Sequence, residues 1–205
     1  GEHGDAHILG LLIDPAEPAL QEQLAAIRDA RVGRARGMLK KLAVMGMSVE
    51  WARVQAIAGE ASSIARPHIA RAMVEAGHVA TVQEAFDKYI DNDGPAYVNR
   101  FRLTMSEAIG VIHVAGGLAV LAHPAHSELV HLIPQLVEVG LDGVEVYYPA
   151  HTPEQQSELL EIAARYNLVV TGGSDFHTLD DPAHGTLGCV DVPPDTVDKL
   201  KARIK

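Results

Sequence analysis

The chain has 205 residues, of which 47% are hydrophobic and 21% charged, a composition typical of an ordinary globular protein. It contains no apolar run of about 18 residues, so a membrane-spanning helix is excluded and a cytoplasmic location is the default expectation. Its one cysteine, Cys189, excludes an internal disulfide and a zinc site built from several cysteines. The formal net charge of −10 argues against a broad surface for duplex DNA, although it is compatible with a local basic pocket.

The first predicted element is a short apolar strand, AHILGLLI at residues 6–13, with His7 at its start. Because this strand lies so close to residue 1 and no initiator methionine precedes it, we expect that upstream sequence is missing. Asp14 and Pro15 form a helix start, since Asp can cap the first turn and proline fits it. The pattern then predicts a long amphipathic helix over about 16–45, with a break near Gly33 or Gly37 as an alternative, and further helices over 49–58 and 82–90.

A third helix of this part begins at the sequence Arg66-Pro67-His68. Pro67 fits a first helical turn, which places Arg66 and His68 at a helix N-terminus. The free N–H groups and the helix dipole favour an anion there, and an arginine would contribute to binding a phosphate. The alternative is an arginine on the surface and a histidine stacked on the proline, and the residues alone leave both interpretations open.

From residue 104 onward the pattern alternates between helix and strand. Thr104 and Glu107 have the spacing of a capping box and begin the first helix. Three consecutive helix-then-strand units with short connections indicate a parallel sheet or a segment of a barrel. The predicted helices span about 104–115, 128–139, 153–166 and 193–204, and the predicted strands span 118–122, 144–147 and 168–171.

Two of these strands are followed directly by residues that bind metal ions well. His123 comes after the first strand, and the motif GGSDFH at 172–177 comes after the third. Since parallel strands end at one edge, where ligands collect in α/β proteins, His123, Asp175 and His177 should lie at the same edge. A carboxylate and an imidazole there can bind one divalent cation or two neighbouring ones. The alternative is a simple turn in which Asp175 caps the next segment.

Four segments together resemble the PHP (polymerase and histidinol phosphatase) family of metal-dependent phosphoesterases. They are AHILG at 6–10, RPHIA at 66–70, AHP at 122–124 and GSDFH at 173–177. Each motif is weak alone, but four in this order make a fairly specific match. The resemblance is strongest to the branch that contains nucleoside 3′,5′-bisphosphate phosphatases and 5′-3′ exonucleases acting on short RNA or DNA.

The resemblance implies an α/β fold that is part of a distorted (β/α)7 barrel with an inserted helical subdomain. The barrel portion would comprise residues 1–15 and 101–205, and the helical insertion would comprise residues 16–100. This division agrees with the helical pattern of the first part and the helix-strand alternation of the second.

The resemblance also implies a metal centre. By motif, His7, His123, Asp175 and His177 are metal ligands for two or three divalent cations, manganese, iron or zinc, at the carboxyl mouth of the barrel. Such ions lower the pKa of water and hold phosphoryl oxygens while a phosphate monoester is hydrolysed. His123, Asp175 and His177 are the catalytic candidates, and His123 or His177 would protonate the leaving alkoxide unless a metal claims it.

The substrate contacts are also implied by the resemblance. Arg66 and His68 would contact a phosphate or a nucleotide from the insertion. His184 is a weaker candidate near the site, for which a surface turn is the alternative interpretation. The expected partners are a small phosphate ester, a nucleotide or a short single-stranded oligonucleotide, with no membrane and no duplex DNA surface.

The chain also departs from the family pattern. A His-x-His strand, a further Asp and His, and a bridging Glu would be expected before the strand at 6–13, and none is present; Glu2 lies too close to His7 to be that Glu. One alternative is therefore an N-terminally incomplete or divergent PHP module that acts in binding or regulation without turnover. Another is a PHP domain that supports a polymerase, which would call for neighbouring basic or polymerase sequence.

Overall fold

The computed structural model of the chain describes residues 6–59, 64–176 and 186–204. Contacts between these residues separate two compact units. The sheet unit contains the described residues up to Gln21 and from Leu103 onward, and the helical unit contains those from Glu22 to Arg102. The boundaries predicted from the sequence for the helical insertion, after residues 15 and 100, lie a few residues before those of the helical unit.

The sheet unit is built on four short strands in the order β1-β2-β3-β4. β2, β3 and β4 run parallel to one another, whereas β1 is antiparallel to β2. The predicted parallel segment is confirmed. β2 and β3 are buried on both faces, as their apolar sequences indicate, whereas alternate residues of β4 are only partly buried. The strands span Ile8–Leu11 (β1), Leu118–Leu121 (β2), Gly143–Tyr147 (β3) and Val169–Gly172 (β4).

The antiparallel pairing of β1 decides where His7 lies. Ile8 pairs with Leu121, and the backbone N–H of Ala122 donates to the carbonyl oxygen of His7 at 3.0 Å. Because the two strands run in opposite directions, the beginning of β1 meets the end of β2. His7 and His123 therefore lie at the same edge of the sheet.

Between β1 and residue 102, the described residues form four helices. They span Pro18–Val44 (α1), Trp51–Ala58 (α2), Arg66–Glu75 (α3) and Val82–Ala85 (α4), with a π-helical turn at Phe86–Ile90. The long helix predicted over about 16–45 is confirmed, and the alternative of a break near Gly33 or Gly37 is wrong. Gly33 faces open space, and Gly37 lets Val98 pack against the helix, since a Cβ there would lie 3.3 Å from Val98 Cγ2. Neither glycine therefore interrupts the helix.

Four further helices belong to the sheet unit, at Met105–Val114 (α5), Ile133–Glu138 (α6), Pro153–Tyr166 (α7) and Thr196–Arg203 (α8). The capping box of α5 is confirmed, with the Glu107 N–H donating to Thr104 Oγ1 at 3.2 Å. The helix predicted over 128–139 is shorter than expected. Glu128 has a left-handed backbone (φ 59°), and a 3-10 turn, Val130–Leu132, precedes α6. No helix among the described residues is long and apolar enough to cross a membrane.

Each unit has its own hydrophobic core. In the helical unit, Met38, Leu42, Ile69 and Met73 are almost completely buried. In the sheet unit, the core lies between the sheet and α5, α6 and α7. Burial of these apolar side chains is the main favourable contribution to folding, and it holds the strand ends in place.

Substitutions at two glycines can test how tightly the chain packs between the end of β1 and the start of β2. A Cβ on Gly117 would lie 2.7 Å from the Leu11 carbonyl oxygen and 2.5 Å from Ile13 Cγ2, whereas a Cβ on Gly110, in α5, would meet nothing within 4 Å. We predict that Gly117→Ala lowers the free energy of unfolding by about 1–3 kcal/mol. Gly110→Ala should raise it by roughly 0.5–1 kcal/mol, because alanine favours helix. Urea unfolding measures both, and equal stabilities would contradict this packing.

Candidate active site

Two histidines meet at the edge where the parallel strands end. His7 Nδ1 lies 3.2 Å from His123 Nε2, and the two rings meet edge to face at a centroid distance of 5.1 Å. His7 precedes β1 and His123 follows β2, so the register of the two strands sets this contact. The pairing gives the site two imidazole nitrogens directed at the same small volume.

His123 is the most constrained of these residues. Its side chain is buried, its Nδ1 lies 2.8 Å from the Ser127 hydroxyl, and its backbone adopts a positive φ of 32°. Burial lowers the pKa of His123, and the charge of Asp175 opposes this shift. The neutral ring that results is the form that ligates metal ions.

Glu145 lies at the site and was not among the residues predicted from the sequence. It lies within β3, is 5% exposed, and its Oε2 accepts a hydrogen bond from the backbone N–H of His123 at 2.9 Å. Burial raises the pKa of Glu145 to about 7; the hydrogen bond from His123 opposes this shift and the charge of Asp175 adds to it. A Cβ on Gly173 would lie 2.9 Å from Glu145 Oε1, so the glycine makes room for this carboxyl group. The only sequence signal was an acid between two valines of a buried strand.

Asp175 follows β4 and completes the set of described site residues. Its backbone is left-handed, with φ at 52°, a conformation that is costly for a residue other than glycine. The Tyr148 hydroxyl donates to Asp175 Oδ2 at 3.5 Å, a long hydrogen bond. Burial raises the pKa of Tyr148, and the negative charge of Asp175 raises it further.

Tyr148 connects His123 with two further histidine rings. Tyr148 lies 5.2 Å from His123, 5.6 Å from His126 and 5.1 Å from His151, measured between ring centroids. His126 is exposed, whereas Tyr148 and His151 are buried. None of the three was a candidate in the sequence analysis, because single polar residues on loops carry no periodic signal.

The helical unit holds Arg66 and His68, and both have partners there. Arg66 Nη1 donates to the Ile90 carbonyl oxygen at 3.3 Å, to Asp91 Oδ1 at 3.1 Å and to Asn92 Oδ1 at 3.2 Å. His68 Nδ1 accepts the backbone N–H of Ala65 at 3.1 Å, so its ring caps the start of α3. The predicted helix start is confirmed, whereas a phosphate contact remains a prediction.

Comparison with known proteins decides the family. A protein from Chromobacterium violaceum, a 3′,5′-nucleoside bisphosphate phosphatase, is 34% identical over 199 residues, which are 95% of this chain and 70% of that protein. This chain belongs to the PHP family of metal-dependent phosphoesterases. The family resemblance predicted from the four motifs is thereby confirmed, although no family model matches the chain.

Two further relatives are named for reactions on other phosphate esters. The 5′-3′ exoribonuclease Rnm of Salmonella typhimurium is 33% identical over 181 residues, 86% of this chain and 61% of that protein. A phosphoribosyl 1,2-cyclic phosphate 1,2-diphosphodiesterase of Eggerthella lenta is 31% identical over 172 residues, 83% of this chain and 66% of that protein. The chain thus spans less than two thirds of these two relatives.

Solved structures agree with the fold. A proposed metal-dependent phosphoesterase from Bifidobacterium adolescentis superposes with a TM-score of 0.69 at 32% identity, over 100% of this chain and 73% of that one. An amidohydrolase from Chromobacterium violaceum, with bound sulfate and no metal, gives 0.65 at 34% identity, over 100% of this chain and 74% of that one. The predicted α/β fold is confirmed.

The residues of the described site fit a divalent cation in part. Two nitrogen ligands on one tetrahedral ion are about 3.3 Å apart when each bond is about 2.0–2.1 Å, and the nitrogens of His7 and His123 are 3.2 Å apart. Imidazole and carboxylate donors together suit zinc, iron and manganese. Within the described residues, no group of three His, Cys, Asp or Glu side chains is placed to hold an ion. His177 and His184 lie outside the described residues.

The buried carboxyl group of Glu145 predicts a pH effect on metal-free protein. Its pKa is raised, so the folded state keeps a proton that the unfolded state releases, and the free energy of unfolding should fall as pH rises from about 4.5 to about 7. This contribution is on the order of 3 kcal/mol. Glu145→Gln resembles the protonated acid, so this variant should match wild type near pH 4.5 and exceed its stability at pH 8.

Chemical unfolding with a chelator present, repeated across this pH range, measures the effect. Glu161→Gln, an exposed change on α7, is the matched control and should follow the wild-type curve. Parallel curves for Glu145→Gln and wild type would show that folding does not raise the pKa of Glu145.

Proposed function

We propose that this chain forms part of the active site of a phosphoesterase that hydrolyses a phosphate monoester of a nucleotide or short oligonucleotide, such as a nucleoside 3′,5′-bisphosphate. The observation that carries the proposal is the contact of His7 and His123 at the strand ends, with Asp175 nearby. The relatives named as a bisphosphate phosphatase and an exoribonuclease support this substrate class. The family's use of metal ions supports the reaction type.

We infer that His7, His123, Asp175 and His177 would hold two or three divalent cations, manganese, iron or zinc. When bound, such cations supply Lewis acidity, which lowers the pKa of water and offsets negative charge on phosphoryl oxygens. The carboxylate and imidazole donors of the described residues support this set. His177 enters the proposal by its motif alone.

The contacts of His123 favour a ligand role over proton donation. Its Nδ1 faces Ser127 and its Nε2 faces His7, so neither nitrogen points to open solvent. The Ser127 hydroxyl would fix the tautomer and the angle of the ring, as outer partners of metal-binding histidines do. His177 is then the remaining candidate for protonating the leaving alkoxide, provided that no metal ion binds its ring.

We infer that Arg66 binds a substrate phosphate, with His68 and His184 as further substrate contacts. The three hydrogen bonds that Arg66 makes to described residues all use Nη1, and its ion pair with the exposed Asp91 is a weak surface interaction. A phosphate could therefore compete for the guanidinium group and bind two of its nitrogens at once. The cap formed by His68 supports an ordered helix start beside it.

The protein is also proposed to act in the cytoplasm and to bind small or single-stranded substrates. Its single cysteine and its net charge of −10 support this inference.

The test is an assay of phosphate release by the full-length protein that contains this chain. We expect hydrolysis of a nucleoside 3′,5′-bisphosphate, loss of activity with a chelator, and recovery with manganese, iron or zinc. A 5′-phosphorylated oligoribonucleotide and a cyclic phosphodiester, run in parallel, separate the three activities named for the relatives. Chelator-resistant activity, or none on any of these esters, would contradict the proposal.

His123→Ala should remove metal and activity together. The variant loses one proposed ligand and the contact with His7, so the loss of metal affinity should exceed the roughly 10–100-fold typical of outer partners. Metal content by mass spectrometry and phosphate release are measured on the same sample. His113→Gln is the matched control, because His113 contacts Asp142 at 2.7 Å and should leave the metal content unchanged. Full metal content in His123→Ala would rule out this ligand.

Arg66→Ala should weaken substrate binding and spare the metal. Hydrogen bonds to charged groups contribute roughly 1.5–3 kcal/mol, so KM should rise by about 10–100-fold. Arg53→Ala, which removes an exposed ion pair with Glu75 in the same unit, is the control and should leave KM unchanged. An equal loss of bound metal in Arg66→Ala would argue against a substrate contact.

A further inference from the structure

The loop between β3 and α7 directs two polar side chains into the protein beside the candidate site. Tyr148 is 6% exposed and His151 is 5% exposed. Burying a phenol and an imidazole is unfavourable unless their polar atoms gain partners. Apolar residues would fill the same space at lower cost, so these two polar residues call for an explanation.

A side-chain hydrogen bond of His151 connects this loop to the end of β3. Its Nδ1 lies 2.8 Å from the Val146 carbonyl oxygen, and its backbone N–H donates to the Tyr148 carbonyl oxygen at 3.0 Å. Since a carbonyl oxygen only accepts, Nδ1 carries the hydrogen in this contact. Nε2 is buried and has no hydrogen-bond partner among the described residues. The binding nitrogen of this ring is therefore Nδ1.

His151 also lies close to the backbone of His123. Burial lowers the pKa of His151, and backbone groups of Val146 and His123 oppose this shift. The ring thus reaches from the end of β3 towards the residue after β2. His123 takes its positive φ at that point of the backbone.

Tyr148 links this support to Asp175. Its ring lies between those of His151 and His123, at centroid distances of 5.1 Å and 5.2 Å. Its hydroxyl donates to Asp175 Oδ2 at 3.5 Å. One side chain therefore contacts both a residue after β2 and a residue after β4.

We propose that Tyr148 and His151 are positioning residues of the active site. Tyr148 sets the orientation of the Asp175 carboxylate and of the His123 ring, and His151 holds Tyr148 in place through the Val146 carbonyl group. This inference rests on the proposed function, because it assigns Asp175 and His123 to the metal centre. Outer partners of metal ligands typically change metal affinity or activity by 10–100-fold when removed.

The first test compares Tyr148→Phe with Tyr147→Phe in the full-length protein. The first variant loses the hydroxyl beside Asp175 and keeps the ring, whereas the second changes the neighbouring tyrosine, which packs on the sheet core. We expect Tyr148→Phe to weaken manganese affinity about 10–100-fold and to lower kcat more than it raises KM. Tyr147→Phe should match wild type in both. Equal manganese affinity and kcat in Tyr148→Phe and wild type would overturn the proposal.

The second test separates the two nitrogens of His151. Asn can place its amide nitrogen near the position of Nδ1, whereas Gln reaches the position of Nε2. We expect His151→Asn to retain manganese affinity close to wild type and His151→Gln to lose most of it, because the Val146 contact uses Nδ1. The reverse order would show that Nε2 is the functional nitrogen and would contradict this assignment.

A crystal structure of metal-free Tyr148→Phe separates failure of this inference from failure of the proposed function. We expect the orientation of the Asp175 carboxylate to differ from that in wild type, whatever the protein hydrolyses. A wild-type protein without metal or activity would refute the proposed function, and the Asp175 orientation would still decide the role of Tyr148. An unchanged Asp175 in this variant would overturn the positioning role.

Discussion

The candidate site depends on the antiparallel pairing of β1 with β2. Ile8 opposes Leu121, so the residue before β1 lies beside the residues after β2. In a parallel arrangement His7 would lie at the opposite edge, about 13 Å away for a strand of four residues. The hydrogen bond from the Ala122 N–H to the His7 carbonyl oxygen extends the ladder past the strand and fixes both histidines. The contact between the His7 and His123 rings follows from backbone register.

The site also places polar groups where a core would be apolar. Glu145 is buried within β3, and the His123 N–H satisfies only part of its hydrogen-bonding capacity. His151 leaves one nitrogen without a partner among the described residues. Each such group reduces stability, and the buried side chains around α5, α6 and α7 offset that cost. These buried polar groups therefore lower the free energy of unfolding, but they fix the arrangement of the metal-donor groups at the strand ends.

Much of the fold could be predicted because its signals are local. Thr104 with Glu107 and Thr152 with Gln155 cap helices, and the apolar runs before His123 and Asp175 form strands that end at one edge. The direction of β1 could not be predicted, since an apolar run indicates a strand but not its orientation. Glu145, Tyr148 and His151 were missed because their importance comes from burial, which only the tertiary structure shows. The family motifs supplied His7, which periodicity alone did not single out.

The backbone is strained at the two candidate metal ligands that follow β2 and β4. His123 and Asp175 both have a positive φ, at 32° and 52°, where glycine would be far less strained. Gly172 and Gly173 lie just before Asp175, so this loop already contains residues suited to a positive φ. A glycine at either strained position would ease the backbone but would remove the imidazole or the carboxylate. The surrounding contacts with Glu145, Ser127 and Tyr148 hold these residues in place, which is how strained conformations persist at functional sites.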